Sequence, residues 1–202
     1  MRKVKKFKLT SEFIVDISGV KLFRIKALIE FGNVKAGDLG GYIEKEENLS
    51  HMGNAWVSGN AQVSGDARVS GDARVSGNVW VSGNAQVSGD ARVSGDARVS
   101  GNAQVSGDAR VSGNARVSGD AQVFGDARVS GDKDYAYAHG FGSCNRTTTF
   151  FRLKDGDVGV RCGCFYGTLA QFRDNVCETH GETKKAQEYL MLADLMDFRF
   201  KN

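Results

Sequence analysis

Thirteen consecutive copies of one six-residue unit, [ND]-[AV]-[RQW]-V-[SF]-G, run without a break from Asn54 to Gly131. Six residues are too few for a pair of helices, so the period predicts a parallel β-helix in which each unit supplies one short strand and one corner. Within a unit, Ala and Val stand two residues apart and share one side of the strand, while Arg, Gln or Trp and the Ser take the other. The valines are therefore assigned to a dry interior and the alanines to the places where its walls converge. Gly followed by Asn or Asp supplies the corner, because these residues tolerate the positive φ of a sharp turn. Val79 is the one departure at the small position.

With an aliphatic residue at every sixth position (Val57, Val63, Val69 and on to Val129) and a small residue two before it, the array resembles the hexapeptide-repeat family. The resemblance implies a mainly β fold, a left-handed parallel β-helix of triangular section with three units per coil and just over four coils. Left-handedness runs against the usual crossover rule and comes from the resemblance alone. Three units per coil sort the outward residues into faces. The first stacks Trp56, Arg74, Arg92, Arg110 and Arg128; the second Gln62, Trp80, Arg98 and Arg116; the third Arg68, Gln86, Gln104 and Gln122. Neighbours in a stack lie about 4.8 Å apart.

The corner before the first face stacks Asp72, Asp90, Asp108 and Asp126, which predicts a surface neutralised by its own Arg–Asp pairs, each worth at most about 1 kcal/mol. The functional alternative makes Arg74, Arg92, Arg110, Arg128, Arg98 and Arg116 a ruler for phosphates or acidic protein. Trp56, Trp80 and Phe124 also point outward. Trp56 and Phe124 lie near the array ends, where flanking segments can cover them, whereas Trp80 lies further in and is the foremost interface candidate. Beside it, the Gln86, Gln104, Gln122 stack leaves a nearly uncharged edge suited to self-association.

The array excludes the chemistry found in enzymes of this type. Hexapeptide acyltransferases use a histidine between coils as general base, but residues 54–131 hold no His, Glu, Lys, Cys, Tyr or Thr and no inserted loop. A carbonic-anhydrase-like member needs three histidines on its metal, and His51, His139 and His180 all lie outside the array. A non-enzyme is expected. The array carries seven Arg and seven Asp, and residues 132–202 carry ten basic and ten acidic residues, so the net charge of +3 belongs to residues 1–53. Its basic arm (Arg2, Lys3, Lys5, Lys6, Lys8) is read as a solvated terminus, or alternatively as a nucleic-acid contact. No apolar run suffices for a membrane span and no signal core follows the arm, so a cytoplasmic protein is expected.

Three segments follow: a β-rich N-terminal cap (1–53), the β-helix (54–131) and a C-terminal ββαα module (132–202). In the cap, residues 6–10 and 13–17 read as strands with a turn at Ser18-Gly19, and residues 21–31 read as a strand in preference to a short helix. In the C-terminal module, residues 147–153 and 158–165 form a hairpin. Thr168 and Gln171 make a capping box for a helix with Leu169, Phe172 and Val176 on one face, ended by Gly181. A second helix follows, with Ala186, Leu190, Ala193 and Phe200 near one stripe. Cys162, Cys164, Cys177 and His180 are a candidate zinc set, which needs a bend at Gly163; the alternative is apolar cysteines on one buried strand face.

The segment FGNVKAGDLGGYIEKEENLS is similar to the N-terminal region of uncharacterised bacterial and prophage hexapeptide-repeat proteins. "CGCFYGTLAQF…THG…AQEYL" is similar to a small domain of phage-encoded proteins. These resemblances imply a phage or prophage scaffold, working in the host bacterial cytoplasm, that binds a host protein and inhibits a bacterial defence system. The alternatives are a nucleic-acid binder using the basic arm and Arg stacks, and a zinc-dependent activity in the C-terminal module.

Overall fold

The computed structural model describes residues 4–142 and 146–201. Strand β1 (Phe7–Val15) and strand β2 (Lys21–Ala27) form an antiparallel hairpin, and β2 pairs antiparallel with β3 (Leu39–Ile43). The two short strands expected at 6–10 and 13–17 are one strand with a bulge between Leu9 and Phe13. The hairpin turns where Asp16 Oδ1 accepts from the Ser18 and Val20 N–H groups and Gly19 adopts φ +82°.

The array forms thirteen two-residue strands, from β4 (Trp56–Val57) to β16 (Arg128–Val129), one at each [RQW]-V pair. They pair in parallel at a spacing of 18 residues, Arg92 with Arg74 and Arg110, Arg98 with Trp80 and Arg116, Gln104 with Gln86 and Gln122. The three outward stacks are those expected. Every inward Ala and Val of the array is 0–1% exposed, and together they form one continuous core. The corner glycines are needed twice over. Gly71 has φ +67°, and a Cβ there would meet the nitrogen of Gly89 one coil on at 2.9 Å.

The β-solenoid begins before the first hexad. β3 pairs in parallel with Gln62–Val63, which makes the cap hairpin and the second face one seven-stranded sheet. A 3-10 turn (Glu46–Asn48) leads to Leu49, which bridges Val69 on the third face. About five coils result, rather than just over four, because the segment before Asn54 supplies most of the first.

The C-terminal module is a four-stranded antiparallel sheet, β17 (Tyr135–Phe141), β18 (Arg146–Arg152), β19 (Val158–Cys162) and β20 (Phe165–Thr168), followed by α1 (Leu169–His180) and α2 (Lys184–Phe200). The expected ββαα unit lacked β17 and β20. The capping box is present, with Thr168 Oγ1 accepting from the Gln171 N–H and Gln171 Oε1 from the Thr168 N–H. Strand alternation docks the module: Phe150 joins the core under the helices, while its neighbour Phe151 points the other way into the solenoid core. Along α2 the buried stripe is Ala186, Tyr189, Ala193, Met196 and Phe200, with Leu190 beside it half-buried. Among the described residues no helix is long and apolar enough to cross a membrane.

Candidate functional site

A solenoid can act through its faces or its ends. The ends are set by the direction of the hydrogen-bond ladder. The inter-coil bonds that flank each strand run one way: the Arg92 N–H donates to the Ala109 carbonyl and the Ser94 N–H to the Val111 carbonyl, both at 2.9 Å, and so on coil after coil. These flanking bonds leave mainly carbonyls facing outward at the first coil and mainly N–H groups at the last, where the outward Arg116 carbonyl also accepts from the Tyr135 hydroxyl.

At the N-terminal end, three kinds of donor meet those carbonyls. β3 supplies backbone, with the Tyr42 and Glu44 N–H groups donating to Ala61 and Val63. Asn48, fully buried, donates through Nδ2 to Gly65 (3.0 Å) and Ala67 (2.8 Å). Lys6, 1% exposed, donates through Nζ to Gly53 (3.3 Å) and Ala55 (2.8 Å), with its ammonium 4.7 Å from the Phe31 ring centroid. Asn48 and Lys6 thus serve equivalent carbonyls, a corner Gly and the Ala two residues on, at two different corners. Burial lowers the Lys6 pKa to about 8, with Asp72 opposing the shift. Beside it, the Lys6 N–H donates to His51 Nδ1 at 3.2 Å, which places the imidazole proton on Nε2, 3.7 Å from Glu46 Oε2.

At the C-terminal end, acceptors do the same work. Asp132 Oδ1 accepts from the Arg116 N–H (2.8 Å) and Thr149 Oγ1 from the Gln122 N–H (2.9 Å). Asp134 Oδ2 accepts from the Ser130 and Gly131 N–H groups and the Ser130 hydroxyl. Burial pushes the Asp134 carboxyl up, but these bonds outweigh it and hold the pKa below the usual value.

On the faces, each proposed contact residue has a definite place. Trp56 is covered by the N-terminal segment, with Phe31 edge-on to it at 5.4 Å, and Phe124 lies under Tyr166 at 5.2 Å and Arg161 at 5.1 Å. Trp80 is half-buried with the Arg98 guanidinium 5.0 Å from its ring centroid, so part of its face is already used. Arg74, Arg92, Arg98, Arg110 and Arg116 are exposed. Among the described residues no array arginine forms an ion pair; the array aspartates that do, Asp66 and Asp126, are held by Lys45 and Lys154. The expected Arg–Asp neutralisation is therefore not made by contact. Arg128 instead donates to the carbonyls of Asp108, Asp126 and Ala127. The corners carry amide ladders, Asn60 to Asn78 to Asp96 and Asn84 to Asn102 to Asp120.

The four residues of the zinc set are not brought together. Cys162 ends β19, where its thiol accepts from the Thr148 hydroxyl at 3.2 Å and donates to the Tyr189 hydroxyl at 3.8 Å. The chain does bend at Gly163 (φ +59°), but Cys164 and Cys177 are exposed, which also corrects the alternative of a shared buried face. His180 stacks on Tyr189 with centroids 5.8 Å apart. Among the described residues no three His, Cys, Asp or Glu side chains are grouped to hold a metal ion.

Sequence reasoning missed Lys6 and Asn48, since both lie in charged stretches that read as solvated. The asparagine ladders were within reach, because every corner position 18 residues apart is Asn or Asp, and Asn60 and Asn78, like Asn84 and Asn102, follow one another in a column.

Residues 50–138 match the model of the bactofilin family, described as polymer-forming cytoskeletal. The match runs from the end of the first coil into β17. No curated protein matches the chain.

Proposed function

We infer that this protein is a non-enzymatic structural scaffold that self-associates. The observation that carries the reading is the match of the solenoid to a polymer-forming cytoskeletal family. The fold supports it, since about five coils with a continuous Val/Ala core and closed ends make a stiff body that presents two appended modules. The hexapeptide pattern adds a left-handed coil of triangular section to the proposal. Sedimentation of the wild-type chain over a concentration series tests it. Association that grows with concentration is expected, and a 21.8 kDa monomer at every concentration overturns it.

The phage source, the host-protein target and the inhibition of a defence system rested on the flanking segments, and the family match lends them no support. One observation favours a second reading, binding of a polyanion such as nucleic acid along the first face: its exposed guanidiniums form no ion pair among the described residues. Titration of a labelled single strand at rising salt tests this, with a steep loss of affinity expected and salt-independent or absent binding against it.

A further inference from the structure

The first face carries a row of cations, and the corner before it a row of anions, that do not meet within the chain. Arg74, Arg92 and Arg110 stack in register on the face, and Asp90 and Asp108 stack on the corner, all of them exposed. Among the described residues none of these side chains forms an ion pair or a cation–π contact. The ends of the rows are engaged. Asp72 Oδ1 accepts from the Asn54 N–H, Asp126 is held by Lys154, and Arg128 donates to carbonyls of its own chain. Phe31 covers the face at Trp56, so the open stretch runs from Arg74 to Arg110. Like charges directly opposite on paired strands are destabilising, and an opposed row of the other sign relieves that cost.

The spacing of the rows selects their partner. Charges on successive coils recur about every 4.8 Å. An extended acidic peptide presents side chains on one face about every 6.8 Å, and the phosphates of one stacked nucleic-acid strand recur about every 3.4 Å. Neither period matches. The chain's own Asp row has the period of its Arg row, so a second copy stays in step with it at every coil. Asp90 precedes Arg92 by two residues along the strand direction, and Asp108 precedes Arg110 likewise. Half a turn about an axis parallel to the solenoid keeps each coil at its height and reverses the strand direction. Arg92 of each copy then faces Asp90 of the other, and Arg110 of each faces Asp108. A twofold axis along the strands would instead set Asp against Asp and Arg against Arg. Charge therefore fixes the two solenoids parallel.

We propose that two copies pair side by side and parallel through the first face, with Arg92 and Arg110 of each against Asp90 and Asp108 of the other. This rests on the self-association inferred above and gives it a surface. Ladder groups at both solenoid ends are already met by Lys6, Asn48, Asp132 and Asp134, which turns association to the sides. The contact is isologous, so by itself it closes a dimer. Charge pairs on an open, hydrated face make it weak and sensitive to salt.

Sedimentation of the full chain at two ionic strengths tests the contact, with circular dichroism to confirm that each variant is folded. Going from about 0.1 M to about 1 M salt shortens the screening length from about 10 Å to about 3 Å, and dimerisation should weaken at least about tenfold. Arg92→Glu with Arg110→Glu sets carboxylates against carboxylates, and Asp90→Lys with Asp108→Lys sets cations against cations. Each double variant should stay monomeric where the wild type dimerises. Mixed together, the two should form a heterodimer, because opposite charges then meet in both rows. Association insensitive to salt, or a mixture no more associated than its components, overturns the first-face contact while leaving self-association standing. Association unchanged in the Arg92→Glu, Arg110→Glu variant, with binding of a labelled single strand lost, overturns it in favour of a polyanion on the Arg row. A wild-type monomer throughout overturns both the contact and the self-association.

Discussion

The two ends of the solenoid finish the same ladder with opposite chemistry. The N-terminal end mainly needs donors and receives an ammonium, a carboxamide and a strand edge; the C-terminal end mainly needs acceptors and receives carboxylates and a hydroxyl, with the Tyr135 hydroxyl as a donor beside them. The difference follows from chain direction, since the flanking bonds run from each coil to the next. Every hexad is equivalent in this respect, so the repeat carries no instruction to stop. That instruction lies in the non-repeating segments, and an uncovered solenoid end would be a row of unpaired groups open to any strand.

A pair of isosteric exchanges tests this asymmetry most sharply. Asn48→Asp turns a buried donor into an acceptor facing two carbonyls and should destabilise the chain by about 3–5 kcal/mol. Asp132→Asn keeps an acceptor oxygen for the Arg116 N–H and should cost less than about 1 kcal/mol. Denaturant midpoints for both variants measure it, and equal losses would break the donor–acceptor distinction.

Lys6→Met comes next, with a loss of about 1–3 kcal/mol at neutral pH, because two carbonyls lose a donor while a costly buried charge is removed. Its pH dependence sharpens the point. With a folded pKa of about 8 against the ordinary lysine value of 10.5, the unfolded chain binds more protons between these values, so wild-type stability should rise from pH 8 to 10.5. Below pH 8 both states are protonated and the penalty is fully present. Lys6→Met should lose that rise in melting curves taken across the window.

The smallest effect belongs between the ends. Arg92→Gln should change stability by less than about 1 kcal/mol, measured beside the other variants. A larger loss would show that the face ladder shares the work assigned to the caps.

The array was legible from its period alone. Six residues with Ala and Val two apart dictate which side chains point in and which stack, and Val93 and Arg92 sit where the pattern put them. The helix N-terminus at Thr168 was legible too, because a capping box is a local device. What the sequence did not reveal depends on partners far along the chain. Lys6 reads as one more charge in a basic arm until the coil edge 47 residues on is placed beside it. β17 (YAYAHGF) has no strong strand pattern and is set by its pairing with β18. The Arg and Asp rows were adjacent in register, as expected, yet adjacency on a flat face did not bring them into contact.

The corner geometry has a consequence for how such a chain can change length. One coil is 18 residues, so adding or removing three hexads translates the C-terminal module along the axis and leaves its azimuth, and the ladder groups it must meet, as they were. Adding one hexad instead turns that module a third of a revolution relative to the N-terminal hairpin and brings a different face under Tyr166. Spacing and orientation are thus quantised separately, which makes the repeat number a screw thread on which the two ends are set.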